Sequence, residues 1–251
     1  MSEVYAGKGA ASRSKVRRRE RVAVQRGARG RKLRIDGTFA SYYVPGEVTT
    51  GSVWDALVAP ILLLPPNRRR SVLILGLGGG SAARLVRALA PRARIVGVER
   101  DPEVVKAARR WFDLDDLRVR VVLADAQSYL RRARGRFDLV LEDVFVGQGR
   151  NVHKPEWFPS PGLDLAARRV AHGGLLVSNA IDEAPAMARH LADLFPASLQ
   201  IDVMGYDNRI LVGGPPLLSG RVLRSAVNAS PVLADTVSSL RFRKLRGSSS
   251  S

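Results

Sequence analysis

The chain has no cysteine, which excludes disulfides, thiolate zinc sites and cysteine nucleophiles. It also lacks any apolar run near the roughly 20 residues that cross a bilayer. The longest, Ala59-Pro60-Ile61-Leu62-Leu63-Leu64, is stopped by Pro65-Pro66, so no membrane span is expected. The start of the chain is basic, but no apolar segment of the signal-peptide kind follows it, and the expected location is the cytoplasm. Histidine is scarce: His153, His172 and His190 are scattered without metal-ligand spacing, so no metal is expected. Acidic residues are few, 23 against 41 Lys and Arg, for a net charge of +18. More than half of that excess lies in residues 1–34, which carry twelve Lys or Arg against Glu3 and Glu20. Such an arm could bind nucleic acid or another anionic surface. No aromatics are interleaved with its arginines to stack bases, which favours a merely solvated leader over residues 1–20.

What is present reads as one α/β core with appendages. Residues 21–50 alternate in short stretches around Asp36-Gly37, a type I′ turn signal, and predict a small β-hairpin module. Ser52 is placed to cap a helix over 53–63. From residue 71 the pattern alternates strictly. Strands are predicted at 72–75, 94–98, 119–123, 137–141 and 174–179, separated by helices at 82–89, 102–111, 126–133 and 163–171. A helix over 183–194 and two strands near 199–203 and 209–212 close the unit. The last two are joined by a loop short enough to force an antiparallel pair. The order predicts a doubly wound, Rossmann-like, mostly parallel sheet over 51–218. Residues 219–251 read as a partly helical segment with a loose tail.

The strongest chemical signal is Gly76-Leu77-Gly78-Gly79-Gly80-Ser81, lying between a buried strand and a helix. Glycines there permit a tight turn and close backbone approach to a ligand at a helix N-terminus. Three further strand ends carry acids: Glu99 about twenty residues on, Asp125 in Ala124-Asp125-Ala126, and Glu142-Asp143. Each acid alone could cap the next helix, Asp101 and Asp125 above all. In open α/β sheets ligands bind beyond the carboxyl ends of the strands, so together these acids converge on one crevice and favour a nucleotide. A dinucleotide is the competing ligand. Against it, Ser81 stands where that fingerprint has Gly or Ala, and acids after the third and fourth strands suit an adenosyl ligand better.

On these residues the chain resembles the spermidine synthase (polyamine aminopropyltransferase) family. The similar segments run from Val72 through Gly80, from Gly97-Val98-Glu99-Arg100-Asp101-Pro102 to Val105, then Ala124-Asp125-Ala126, Tyr129-Leu130, and Phe137 to Asp143. The resemblance implies a seven-stranded class I AdoMet-dependent transferase sheet. It also implies S-adenosylmethionine or decarboxylated S-adenosylmethionine as co-substrate, a small-molecule acceptor such as an amine, and a homodimer or tetramer. Carried over, Glu99 with its neighbour Arg100 would hold the ribose, and Asp125 with Ala126 the adenine. Gly76, Gly78, Gly80 and Ser81 would approach the sulfonium arm, and Asp143 would be the general base.

Departures from the family pattern bear on the substrate. Ser81 takes the place of an Asp that grips the amine of the decarboxylated ligand, and Val146 that of the second Asp of an Asp-x-x-Asp motif. Trp54 and Asp55 are the residues left to stand in for the polyamine-holding segment before the core. His153 and Trp157 are candidates for lining the acceptor pocket, Trp157 within a mobile segment over the crevice. Three functions follow: an aminopropyltransferase-like enzyme, an AdoMet-dependent methyltransferase, or a non-catalytic adenosyl-ligand-binding partner protein.

Overall fold

The computed structural model describes residues 21–245; the basic leader over 1–20 and the end of the tail lie outside the described residues. Strands β1 (Val22–Arg26), β2 (Arg31–Ile35) and β3 (Thr38–Tyr43) form an antiparallel sheet in that order. Asp36 and Gly37, with φ of 48° and 80°, make the tight β2–β3 turn, both in the left-handed region that a type I′ turn requires. Leu33 and Tyr43 of this sheet pack on Val104 and Phe112 of the main body. Helix α1 (Val53–Val58) is buried along its length. It tightens into a 3₁₀ turn at Ala59–Leu63, earlier than the sequence suggests, because Pro60 has no N–H to donate to Ala56.

Four parallel strands follow with their helices: β4 (Ser71–Leu75), α2 (Ser81–Leu89), β5 (Arg94–Glu99), α3 (Pro102–Trp111), β6 (Val119–Leu123), α4 (Ala126–Arg132) and β7 (Phe137–Glu142). A small hairpin, β8 (Val146–Gln148) and β9 (Asn151–His153), leads to α5 (Gly162–Ala167) and β10 (Val170–Ala180). The chain ends through α6 (Ala184–Leu194), β11 (Ala197–Val203), β12 (Arg209–Gly214), α7 (Gly220–Asn228) and β13 (Leu240–Lys244).

The main sheet runs β13-β11-β12-β10-β7-β4-β5-β6. Strand β4 sits between β5 and β7, parallel to both, and β12 runs antiparallel to β10 and β11. The continuous apolar run of β4 serves two cores. Val72 and Ile74 join one face's cluster, Leu73 and Leu75 the other's, as expected where helices cover both sides.

Two elements correct the sequence reading. The sheet has eight strands, since β13 pairs with the outer side of β11 through Ile201 and Phe242. The segment expected to be partly helical holds helix α7, and beyond it alternates Leu240 and Phe242 inward with Arg241 and Arg243 outward, a period of two that suits an edge strand. The segment after Asp143, expected as a mobile segment over the crevice, folds at its start into the β8–β9 hairpin. Its Gly147 and Gly149 take φ of 98° and 58°, and Gly149 donates to the Asp36 carbonyl at 3.1 Å. Among the described residues no helix is long and apolar enough to cross a membrane.

Candidate active site

The carboxyl ends of β4, β5, β6 and β7 open onto a cavity of about 450 Å³, within the range of small-ligand sites. Its floor is the turn after β4. Gly76 (φ 81°) passes so close to the end of β7 that a Cβ would lie 2.5 Å from the Asp143 carbonyl oxygen. Gly78 (φ 53°) turns its N–H onto Glu99, 3.0 Å from Oε2.

Glu99 ends β5. Its other oxygen accepts from the backbone N–H groups of Arg100 (2.9 Å) and Asp101 (3.1 Å). Burial raises the pKa of this carboxyl, and the three N–H donors work against that rise. Asp101 caps α3 by accepting from Glu103 N–H and meets the Arg21 guanidinium at 2.6 Å. Asp125 caps α4 through one oxygen, which accepts from Ser128 N–H at 2.9 Å, and lines the cavity as well. Capping and ligand-facing roles are therefore compatible at this position.

Asp143 follows β7. Its carboxylate is held from two sides: Trp54 Nε1–H donates to Oδ2 at 2.9 Å and Asn179 Nδ2–H to Oδ1 at 2.8 Å. Asn179 is itself oriented, because Asn208 Nδ2–H donates to its carbonyl oxygen at 2.9 Å. Burial pushes the Asp143 carboxyl up to about 6, assisted by the Glu142 charge and resisted by the Asn179 bond, the Lys154 cation and the Trp54 bond. Phe39 supports the indole edge-on, with ring centroids 5.2 Å apart.

Beneath Asp143 lies a buried ion pair. Lys154 Nζ reaches both Glu142 oxygens at 2.7 and 2.8 Å and the Val144 carbonyl at 3.0 Å. Ser178 donates to the same carboxylate, and the Phe145 ring lies 4.1 Å from the ammonium.

Of the residues singled out in the sequence, Gly76, Gly78, Glu99, Arg100, Asp125, Ala126, Asp143, Trp54, Val146 and Trp157 line this one cavity. Four stand apart. Gly80 (φ 89°) precedes α2 and faces Leu114 and Leu117. The Ser81 hydroxyl accepts from Tyr42 N–H (3.0 Å) and donates to Tyr42 C=O (2.9 Å), stitching β3 to α2. The Asp55 carboxylate accepts from Thr50 N–H, Thr50 Oγ1–H and Gly51 N–H, all within 2.9 Å, and fixes the turn before α1. The exposed His153 ring donates from Nδ1 to the Lys154 carbonyl. Asn179, Asn208 and Lys154 were missed. Asn179 alone had a signal, its place at a strand end; Asn208 reads as a turn residue and Lys154 as a surface cation.

A family model described as a methyltransferase domain matches residues 72–154. Over 138 residues the chain is 39% identical to the polyamine aminopropyltransferase of Mycobacterium tuberculosis, covering 50% of this chain and 25% of that protein. Among solved structures, a probable spermidine synthase from Corynebacterium glutamicum superposes with a TM-score of 0.70 at 20% identity, over 89% of this chain and 87% of that one. Human methyltransferase-like protein 13, solved in complex with SAH, gives 0.60 at 24% identity, over 75% and 93%. The chain spans less than half the length of the curated relatives it matches.

Proposed function

Because the chain is spermidine synthase-like, in sequence over half its length and in fold over most of it, we propose that it binds an AdoMet-type ligand and transfers an alkyl group from it to an amine or similar nucleophile. Glu99 would take the ribose hydroxyls. Asp125 keeps one carboxylate oxygen free of its helix and would accept from the adenine amino group, while Val98, Val104 and Ala124 line the same end of the cavity. What such a ligand supplies is a carbon made electrophilic by its sulfonium sulfur. Asp143 takes the proton from the attacking nitrogen as the N–C bond forms, while the C–S bond breaks and its electron pair passes to sulfur, leaving a neutral thioether. Positioning and a single proton transfer make up the protein's share of this chemistry.

The observation that carries the reading is the Asp143 carboxylate, fixed by Trp54 and Asn179 and raised to about 6. It is ionised at neutral pH, yet basic enough to receive a proton. A methyltransferase is the second reading. It is favoured by the matching domain model and by the occupied Ser81 hydroxyl, since no carboxylate of the glycine turn reaches for the amine of a decarboxylated ligand.

The test supplies radiolabelled AdoMet and, separately, decarboxylated AdoMet with a panel of amines, and follows label transfer. Asp143→Asn is expected to abolish transfer while methylthioadenosine affinity stays within about threefold. An active Asn variant removes Asp143 from the base role. Transfer from the decarboxylated ligand supports aminopropyl chemistry; transfer from AdoMet supports methylation.

A further inference from the structure

The parallel strands that gather acids at one end of the sheet gather arginines at the other. Arg70, Arg94, Arg118, Arg136 and Arg169 stand at the amino ends of β4, β5, β6, β7 and β10 or one residue before them. The register sets them side by side. Arg94 N–H donates to the Arg70 carbonyl at 2.8 Å, Ile95 pairs with Val119, and Phe137 N–H donates to the Arg169 carbonyl at 2.7 Å. The Arg136 guanidinium reaches across to the Val170 carbonyl at 3.2 Å. Four of these strand starts carry a second, exposed arginine within two residues: Arg92, Arg120, Arg134 and Arg168. Burial raises the Tyr129 phenol, and Arg120, Arg94 and Arg169 all pull it back, so three of these cations surround one ring. Among the described residues none of the nine forms an ion pair. The acids on this side are fewer and mostly engaged. Asp138 accepts from Arg70 N–H, Ser71 N–H and the Ser71 hydroxyl, Asp113 takes the Tyr43 hydroxyl, and Asp115 pairs with Arg109 at 3.2 Å. Asp116 and Asp193 are exposed, ahead of β6 and β11.

We propose that this arginine edge, at the end of the sheet opposite the cavity, binds the phosphodiester backbone of a nucleic acid. Neighbouring strands lie about 4.8 Å apart, so the edge presents cations in a row, at a spacing comparable with the charges along a phosphate chain. Every member of the row is arginine, whose planar guanidinium meets phosphate through two N–H groups at once. The large apolar side chains exposed to solvent, Leu217 foremost at 90%, belong to other segments. The edge thus has none of its own to sink into a bilayer. Contacts to phosphate position a nucleic acid without reading its sequence. The proposal does not depend on the transferase reading, because it uses no residue of the cavity.

Fluorescence anisotropy tests it, with the full chain titrated into a labelled DNA duplex of about 20 base pairs and, separately, an RNA duplex of the same sequence, from about 50 to 200 mM salt. Binding of either duplex, weakening steeply with salt and indifferent to sequence, is expected; a preference between the two identifies the source of the backbone. The triple variant Arg92→Gln, Arg120→Gln and Arg134→Gln is expected to lose at least about tenfold in DNA affinity, with a salt slope flatter by about 0.9 for each lost contact. Each single substitution, should the triple variant fold poorly, is expected to flatten the slope by about 0.9. The control variant Arg150→Gln, Arg209→Gln and Arg241→Gln removes the same charge from exposed residues toward the other end of the sheet. It is expected to stay within about threefold of the natural chain. Equal losses in the two triple variants, or no loss in the first, place the binding elsewhere and overturn the proposal. So does tighter binding to phosphatidylserine vesicles or polyglutamate than to either duplex, and so does the absence of binding to both duplexes.

Discussion

Asp143 is held by a chain of amides whose direction is set one residue at a time. Asn208 donates to the Asn179 carbonyl, so the Asn179 NH₂ faces the carboxylate. Bonds donated to a carboxylate favour its charged form; removing one must therefore raise the pKa. With the Asp143 carboxyl at about 6, turnover is expected to fall in acid with a midpoint near pH 6. In Asn179→Ala that midpoint is expected to move toward higher pH. A kcat/KM profile checks the sign: an unmoved or acid-shifted limb would show that Asn179 does not tune the base. The place of Asp143 in the cavity was legible from its position at the end of a strand. Its supports were not, because Asn in a hairpin turn is so ordinary that Asn208 carries no signal until the fold brings β12 beside β10. Ser81 and Asp55 were misplaced for the converse reason. A buried hydroxyl or carboxylate must find partners, and the nearest were backbone groups of β3 and of the turn before α1.

At the scale of elements, the site depends on two close approaches. The first brings Gly76 against the end of β7. Gly76→Ala places a methyl in a left-handed backbone and against a carbonyl, so thermal and urea denaturation should show a loss of at least about 1 kcal/mol, with weakened methylthioadenosine binding. The second ties the end of the β8–β9 hairpin to β7 through Lys154 and Glu142. Lys154→Met leaves Glu142 buried without its cation, and urea unfolding is expected to show a loss of about 3–5 kcal/mol. The double variant with Glu142→Gln should recover part of it; no recovery would mean the charge is not the cause. The strands of the parallel core were readable because each is an apolar run between turn signals. The hairpin was not, since its strands are three residues each and Gly-x-Gly reads equally as a loop. Strand β13 had a readable period of two, but it was masked by the helical α7 pattern before it.

At the scale of the whole molecule, the strand order brings residues more than a hundred positions apart to one opening: Trp54 from α1, Glu99 after the glycine turn, Asp143 beyond β7, and Asn179 near the end of β10. That convergence was foreseeable because parallel strands all present their carboxyl ends on the same side. The contribution of the antiparallel β11–β12 turn was not, because nothing in its residues distinguishes a turn that reaches the cavity from one that does not. Titration of methylthioadenosine into the full chain, followed by calorimetry, tests the central claim that these strand ends hold an adenosyl group. One site per chain is predicted, with affinity lowered at least tenfold in Asp125→Ala. Absence of heat, or binding indifferent to Asp125, would contradict it.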